Sequence, residues 1–287
     1  MASPSLDHLV LFLPHSPSTD FPVIPSSLSN AFTLTPGGHH ADGLTSNTLI
    51  ILADGCYIEL ITFLPQPSTS TAVQTHWWGG PPPTSLGWKD WCLTSTDSPS
   101  ANHARIASSH AAPIKGGRKR PDGKEVKWAV TFPEGENGGQ GSRGRVPFWC
   151  HDETERGLRV PGEEERVRHA SGVLGVEGLS VVVGGGEEGL EALKRVYEGV
   201  LGVEGRKGDG EVVFEVGRVI DVEGLSKGPR IVIKLPRSEE EVKRVEEKGF
   251  WFGDVVLAAK KEGKAAGTVE RVDMEEDGIR GIWIKYI

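Results

Sequence analysis

The chain opens on Leu6-Asp-His-Leu-Val-Leu-Phe-Leu13, a run apolar on both faces. Bounded by Pro and Ser, such a run predicts a buried β-strand. Side chains alternate across a strand, so Leu6, His8, Val10 and Phe12 share one face. A Pro/Ser stretch follows, with a short helix predicted at 26–30. Then come Phe32-Thr-Leu-Thr35 and the turn signal Pro36-Gly37-Gly38. Apolar runs at 47–53 and 56–63 flank Asp54-Gly55, and Asp-Gly between β-rich runs signals a hairpin. On the second of these runs Tyr57, Glu59, Ile61 and Phe63 share a face.

The pattern then repeats. A strand is predicted at 88–94, and Ser98 caps a short helix with Pro99 in its first turn. Strands at 124–132 and 146–152 are separated by the Gly-rich loop 134–144. The loops before the third strand of each unit echo one another: Gly37-Gly-His-His-Ala-Asp-Gly43 and Gly116-Gly-Arg-Lys-Arg-Pro-Asp-Gly123. A third start follows the charged linker 161–169. It has a strand at 177–183, an amphipathic helix at 187–201 with Leu190, Leu193, Tyr197, Val200 and Leu201 on one side, and strands at 211–216 and 218–222. A fourth is expected from the strand 230–235. Ser238 and Glu241 form a capping box for a helix to Lys248, and strands at 250–258, 268–274 and 281–286 close the chain. Internal repetition outranks local assignments. Four βαβββ-like units, the third the least regular, predict an α+β fold. Curved mixed sheets, mostly antiparallel, would surround a cupped site with helices outside. The expected division is 1–160 for two modules and 170–287 for two further, less regular ones.

Composition narrows the function. The net charge of −8 over 287 residues argues against nucleic acid, since a phosphate-binding surface needs a basic excess. The short basic run Gly116-Gly-Arg-Lys-Arg-Pro121 reads as a turn between strands, with a phosphate or carboxylate contact as the alternative. No apolar run reaches bilayer length and the N-terminus lacks a signal-peptide pattern, so no membrane association is expected. Cys56, Cys92 and Cys150 are too few and too scattered for a disulfide framework or a zinc motif. A reduced, cytoplasmic protein follows. Residues 1–100 contain one Lys (Lys89), no Arg and seven acids. A segment so poor in charge is either deeply buried or faces an apolar ligand.

Within that segment His8 and Glu59 are the odd polar residues on apolar faces. Burying a polar group without a partner costs about 2–7 kcal/mol, and an ion more. Glu59 must therefore be protonated, paired or metal-bound, and His8 is its natural partner. A His and a Glu facing one cavity suit divalent metal binding or proton transfer. The loop 37–47 adds His39, His40, Asp42, Thr45 and Asn47. It is either a polar surface turn or a ligand loop whose glycines let backbone approach closely.

Several of these pieces occur together in one family. Leu6-Asp-His-Leu-Val, Thr35-Pro-Gly-Gly-His-His, Leu44-Thr-Ser-Asn-Thr-Leu-Ile and Asp54-Gly-Cys-Tyr-Ile-Glu-Leu together resemble the glyoxalase-like domain of the vicinal oxygen chelate superfamily. The likeness continues through Gly87-Trp88, the 118–123 run, Trp128 and Val146-Pro-Phe148, covering about 5–155 with an echo to 185. It implies paired βαβββ modules cupped around a site. It also implies, in metal-binding members, a His on a module's first strand and a Glu on its last. His8 and Glu59 fall there, and His151 is the best third ligand. His40, Thr45 and Asn47 fall on the family's loop motif. The second unit departs from the pattern, offering Trp88, Lys89 and Asp90 on its first strand and Cys150, His151 and Asp152 on its last.

The function so implied is isomerase- or lyase-type chemistry on a small oxygenated metabolite. A divalent metal on His8 and Glu59 would polarise a carbonyl or enolate oxygen, with His40 or His39 moving the proton. In a metal-free version Glu59 is the base. Thr45, Asn47, Trp88, Trp128 and Phe148 would contact the substrate. No nucleotide cofactor is expected, and the chain acts alone or as a homodimer. The alternative is a non-catalytic small-molecule binding or resistance protein of the same fold.

Overall fold

The computed structural model describes residues 2–67, 70–79, 86–120 and 122–287. The first half forms an eight-stranded sheet from β1 (Ser5–Phe12), β2 (Thr35–His39), β3 (Thr45–Ile51), β4 (Tyr57–Phe63), β5 (Gly87–Thr94), β6 (Ile114–Lys119), β7 (Glu125–Thr131) and β8 (Phe148–Asp152). Its order is β2-β3-β4-β1-β5-β8-β7-β6. Each module pairs its first strand with its last in parallel, β1 with β4 and β5 with β8. The modules join antiparallel through β1 and β5. The sheet curls until its edge strands β2 and β6 face each other, leaving a cavity inside the curl. The helices α1 (Ser26–Ala31), α2 (Ala72–Thr75) and α3 (Pro99–Ile106) lie in the connections. Ser98 caps α3 by accepting the Ala101 N–H, as its sequence predicts. Two single turns, α4 (Arg156–Arg159) and α5 (Glu164–Val167), occupy the stretch after β8.

The second half forms a seven-stranded sheet from β9 (Val173–Val183), β10 (Arg206–Gly208), β11 (Glu211–Glu215), β12 (Arg230–Lys234), β13 (Phe250–Ala259), β14 (Val269–Arg271) and β15 (Ile282–Tyr286), in the order β10-β11-β12-β9-β13-β15-β14. Two expectations change here. The strand at 230–234 does not open a fourth unit. It pairs in parallel with β9 and so closes the third, as β4 closes the first on β1. The last unit instead begins at β13, with α7 (Glu239–Lys248) leading into it under the predicted Ser238/Glu241 capping box. Residues 218–222 are not a strand. Arg218 inserts its guanidinium against Asp54 (2.6 Å) and the Val176 carbonyl (2.8 Å), and that cross-sheet ion pair draws the segment out of the ladder. The strands missed are β10 and β6: most of the basic run 116–121, which reads as a turn, lies in the ladder with β7, and β2 likewise continues through the turn signal at 36–38 to pair with β3.

The two sheets share one core. Leu9, Leu11, Ile58, Trp91 and Trp149 of the first pack with Val181, Phe252 and Leu257 of the second. Between them lies α6 (Gly186–Leu201), whose Tyr197 meets Trp91 and Phe214 at ring distances of 6.0 and 5.5 Å. The Asp54-Gly55 hairpin turn is buried in this joint. Asp54 accepts the N–H groups of Cys56 and Val176 as well as the Arg218 guanidinium. No helix is long and apolar enough to cross a membrane among the described residues.

Candidate functional site

The other face of the first sheet carries a second apolar cluster, including Val10, Phe12, Ile61, Trp78, Phe132 and Phe148. Trp78, Phe132 and Phe148 of this cluster wall a cavity of about 180 Å³, also lined by His8, His40, Asn47, Glu59, Arg118, Trp128 and Arg159.

Three β-bulges decide which side chains reach it, because an extra residue in one strand reverses the alternation beyond it. On β1 the extra residue is Asp7: Leu6 pairs with Leu93 and His8 with Cys92. Leu6 therefore joins the inter-sheet core and leaves the face predicted for it. Asp7 turns instead to the side of His8. On β2 the extra residue is Gly37, between Pro36 opposite Thr48 and Gly38 opposite Asn47. A Cβ at Gly37 would lie 1.9 Å from Asn47 Oδ1, so this bulge requires glycine. It swaps the two histidines. His39 is exposed outside against Phe21, and His40 turns in. On β5 the extra residue is Lys89, between Asp90 opposite Val10 and Trp88 opposite Leu11. Trp88 therefore points away from the cavity. Its indole donates to the Gly281 carbonyl and packs on Phe252, which corrects its expected place in the pocket wall.

Inside, Glu59 is 4% exposed. Its Oε1 accepts the Asn47 side-chain N–H at 2.5 Å and faces His40 Nε2 at 3.4 Å. Asn47 is held in turn by Gly38 N–H on its Oδ1, 3.0 Å. Burial pushes His40 below its ordinary value, outweighing the opposing pull of Glu59, so it is neutral at pH 7. Its Nδ1 meets the Thr45 hydroxyl at 2.6 Å. The tautomer that suits both neighbours carries its proton on Nε2. Glu59 Oε2 faces His8 Nε2 across 3.9 Å, a gap too wide for a hydrogen bond. His8 stacks on Tyr57 at 4.7 Å and gives Nδ1 to Asp7 at 2.6 Å.

Asp7 is fully buried, and two arginines from α4 balance it. Arg156 donates at 2.5 Å, and Arg159 donates to both oxygens at 2.9 and 3.0 Å. Arg159 also binds Tyr57 Oη and Asp152. Burial pushes the Asp7 carboxyl up, but both guanidiniums and His8 outweigh it and hold it well below the usual carboxylate range. Sequence reasoning missed Asp7, Arg156, Arg159, Trp77 and Trp78. The available signal was the charged Asp-Glu-Thr-Glu-Arg run directly after an apolar strand.

The implied metal ligands can be tested on this geometry. His151 lies beside Trp149 on the face of β8 away from the cavity, touching Ser95, and does not join His8 and Glu59. The positions in the second module that match His8 and Glu59 are set by register. His8 pairs with Tyr57, two residues before Glu59. Cys92 pairs with Phe148, two residues before Cys150. The second module thus offers two thiols in an apolar cluster, and burial pushes Cys92 well above its ordinary range. Ligands of one ion lie within about 4.6 Å of each other. Among the described residues Asp7, His8 and Cys92 are the three such groups gathered within 4.8 Å, and Asp7 is committed to its arginines. The donors present do not fit the superfamily's divalent ion.

Comparison with known proteins agrees with this architecture. The profile of the glyoxalase-like domain family matches residues 6–197, more than half of the chain. No curated protein sequence matches significantly. Among solved structures, a hypothetical protein from Staphylococcus aureus is 14% identical, with 99% of each chain covered and a TM-score of 0.65, which shows the same fold from end to end. A variant of 4-hydroxymandelate synthase from Streptomyces coelicolor is 10% identical over 91% of this chain and 72% of that one, at a TM-score of 0.49. Methylmalonyl-CoA epimerase from Mycobacterium tuberculosis is 15% identical over 41% of this chain and 90% of that one, at 0.28. The family match, the paired modules and the cupped site together make this chain a member of the glyoxalase-like domain family.

Proposed function

We propose that the cavity performs metal-free acid–base chemistry on a small carbonyl compound, with Glu59 as the base. The observation that carries this is the unequal use of the Glu59 oxygens. Asn47 and His40 occupy Oε1, whereas Oε2 opens on the gap to His8 Nε2. A general base must be fixed in place yet keep one oxygen for the proton it removes. In this reading Oε2 takes a proton from the carbon beside the carbonyl. His8, oriented by Asp7, stands on the other side of the gap to return a proton, as a base oriented by a third group does. In this reading Asn47 fixes Glu59 and Thr45 fixes His40, while Trp128 and Phe148 exclude water from them. The outcome is an isomerase or lyase type of reaction. The aromatic walls also favour a second reading, capture of a ligand without turnover.

The two readings separate in heavy water. A panel of small 2-oxo acids and hydroxyketones is incubated with the protein and followed by NMR for deuterium at the carbon next to the carbonyl. The base reading expects exchange that falls at least about 100-fold in Glu59→Gln and is unchanged by a chelator. Exchange that survives in Glu59→Gln, or that a chelator abolishes and added metal restores, overturns it. Saturable binding without exchange assigns the cavity to ligand capture.

A further inference from the structure

Arg118 projects from β6 into the cavity and is 9% exposed. Its Nη2 donates to the Arg159 carbonyl at 3.1 Å. Its Nη1 is buried and has no hydrogen-bond partner. Unlike Arg156 and Arg159, which bind Asp7 and Asp152, Arg118 makes no ion pair among the described residues. Burial pushes its guanidinium down from its ordinary value, and the nearby Tyr57 and Glu59 only partly offset this. An unpaired buried cation is costly, and a guanidinium answers best to a planar carboxylate. Gly38 flanks Nη1 without a side chain that could satisfy or cover it; a Cβ added there would stand in van der Waals contact with Nη1, at 3.7 Å.

We propose that the cavity binds a small aromatic carboxylate, its acid group on Arg118 and its ring among Trp128, Trp78 and Phe148. One buried cation with a single unpartnered nitrogen suits a monoanion. A phosphate would leave charge uncompensated beside Glu59. The volume of about 180 Å³ is below the roughly 300–1,000 Å³ of pockets for drug-sized ligands, so the body is about one ring. This deepens the reading of the cavity as a small-molecule site and does not depend on Glu59 acting as a base.

The test is equilibrium binding, followed by quenching of the cavity tryptophans, of phenylacetate, its neutral analogue phenylacetamide, and acetate. Wild type is expected to bind phenylacetate saturably and at least about tenfold more tightly than either analogue, the scale of one charge-assisted contact. Arg118→Gln should lose that preference while keeping its affinity for the amide. Arg118→Lys keeps a cation in the cavity without the planar fork and should show an intermediate preference, and the acid-to-amide ratio of wild type stands even if Arg118→Gln does not fold. Glu59→Gln should bind phenylacetate at least as well as wild type, so a failed exchange experiment leaves this inference standing. Equal affinity for acid and amide in wild type, no saturable phenylacetate binding, or unchanged acid binding in a folded Arg118→Gln protein would overturn it.

Discussion

Asn47 donates to Glu59 at 2.5 Å while its own carbonyl oxygen accepts Gly38 N–H, so one amide ties the β2 bulge to the buried carboxylate. Asn47→Ala leaves Glu59 short of a donor, and the expected loss is about 1–3 kcal/mol in urea unfolding. Asn47→Asp should cost more, because it sets two carboxylates side by side. Gly37→Ala should act on the same contact, since its Cβ would stand 1.9 Å from Asn47 Oδ1. Gly141→Ala, with no atom within 4 Å of the added Cβ, is the matched control. An Asn47→Asp protein as stable as wild type would contradict this account.

The Asp7–Arg159 pair is buried on both sides. Removing one partner strands the other charge, so Arg159→Met should destabilise by about 3–5 kcal/mol. Adding Asp7→Asn to it should cost less than the sum of the two single changes. Because Asp7 is held below its unfolded value, its contribution is complete above the unfolded pKa of about 3.9. That contribution is lost as the pH falls below it. Wild type should therefore show an acid limb below about pH 4 that Asp7→Asn lacks. Additive single changes would remove the basis for a coupled network.

His110 supplies a second, separate pH window. It is fully buried, bonded to Ser109 and to the Pro147 carbonyl, and burial pushes it down to about 4. Between about 6.5 and that value the unfolded chain holds a proton that the folded chain refuses, so stability falls as the pH falls. At about 1.4 kcal/mol per unit the loss reaches about 3 kcal/mol below pH 4. His40, His151 and His169 are displaced in the same direction and add to the slope. Chemical unfolding at several pH values should show His110→Gln with a shallower decline across this window than wild type. An identical slope would exclude His110 as its source.

Much of the fold was legible in the chain. The repeat of strand, short helix and hairpin marked paired modules. The Ser98 and Ser238 caps were plain, and so was the inward direction of His8, Val10, Phe12 and Glu59. These features depend on neighbours a few residues away, and alternation, capping and turn chemistry report such neighbours directly. The family motif added His40, Thr45 and Asn47, all of which meet around or beside Glu59.

What only the tertiary structure decided lies where alternation is interrupted or where partners come from far along the chain. The bulges at Asp7 and Lys89 lie where β1 keeps register with β5, far along the chain, and that at Gly37 where β2 keeps register with β3; strand alternation encodes none of them. Each bulge reverses a face, and so Leu6 and Trp88 left the cavity, His39 gave way to His40, and Asp7 entered. The ionic frame beneath His8 comes from α4, about 150 positions further on, and Arg218 reaches Asp54 across 164 positions. The sequence by itself determined the first two modules and that one polar pair, His8 and Glu59, would be buried in the first of them. Long-range pairing decided which side chains complete the site, because a buried charge is stable only beside a partner that folding alone can bring to it.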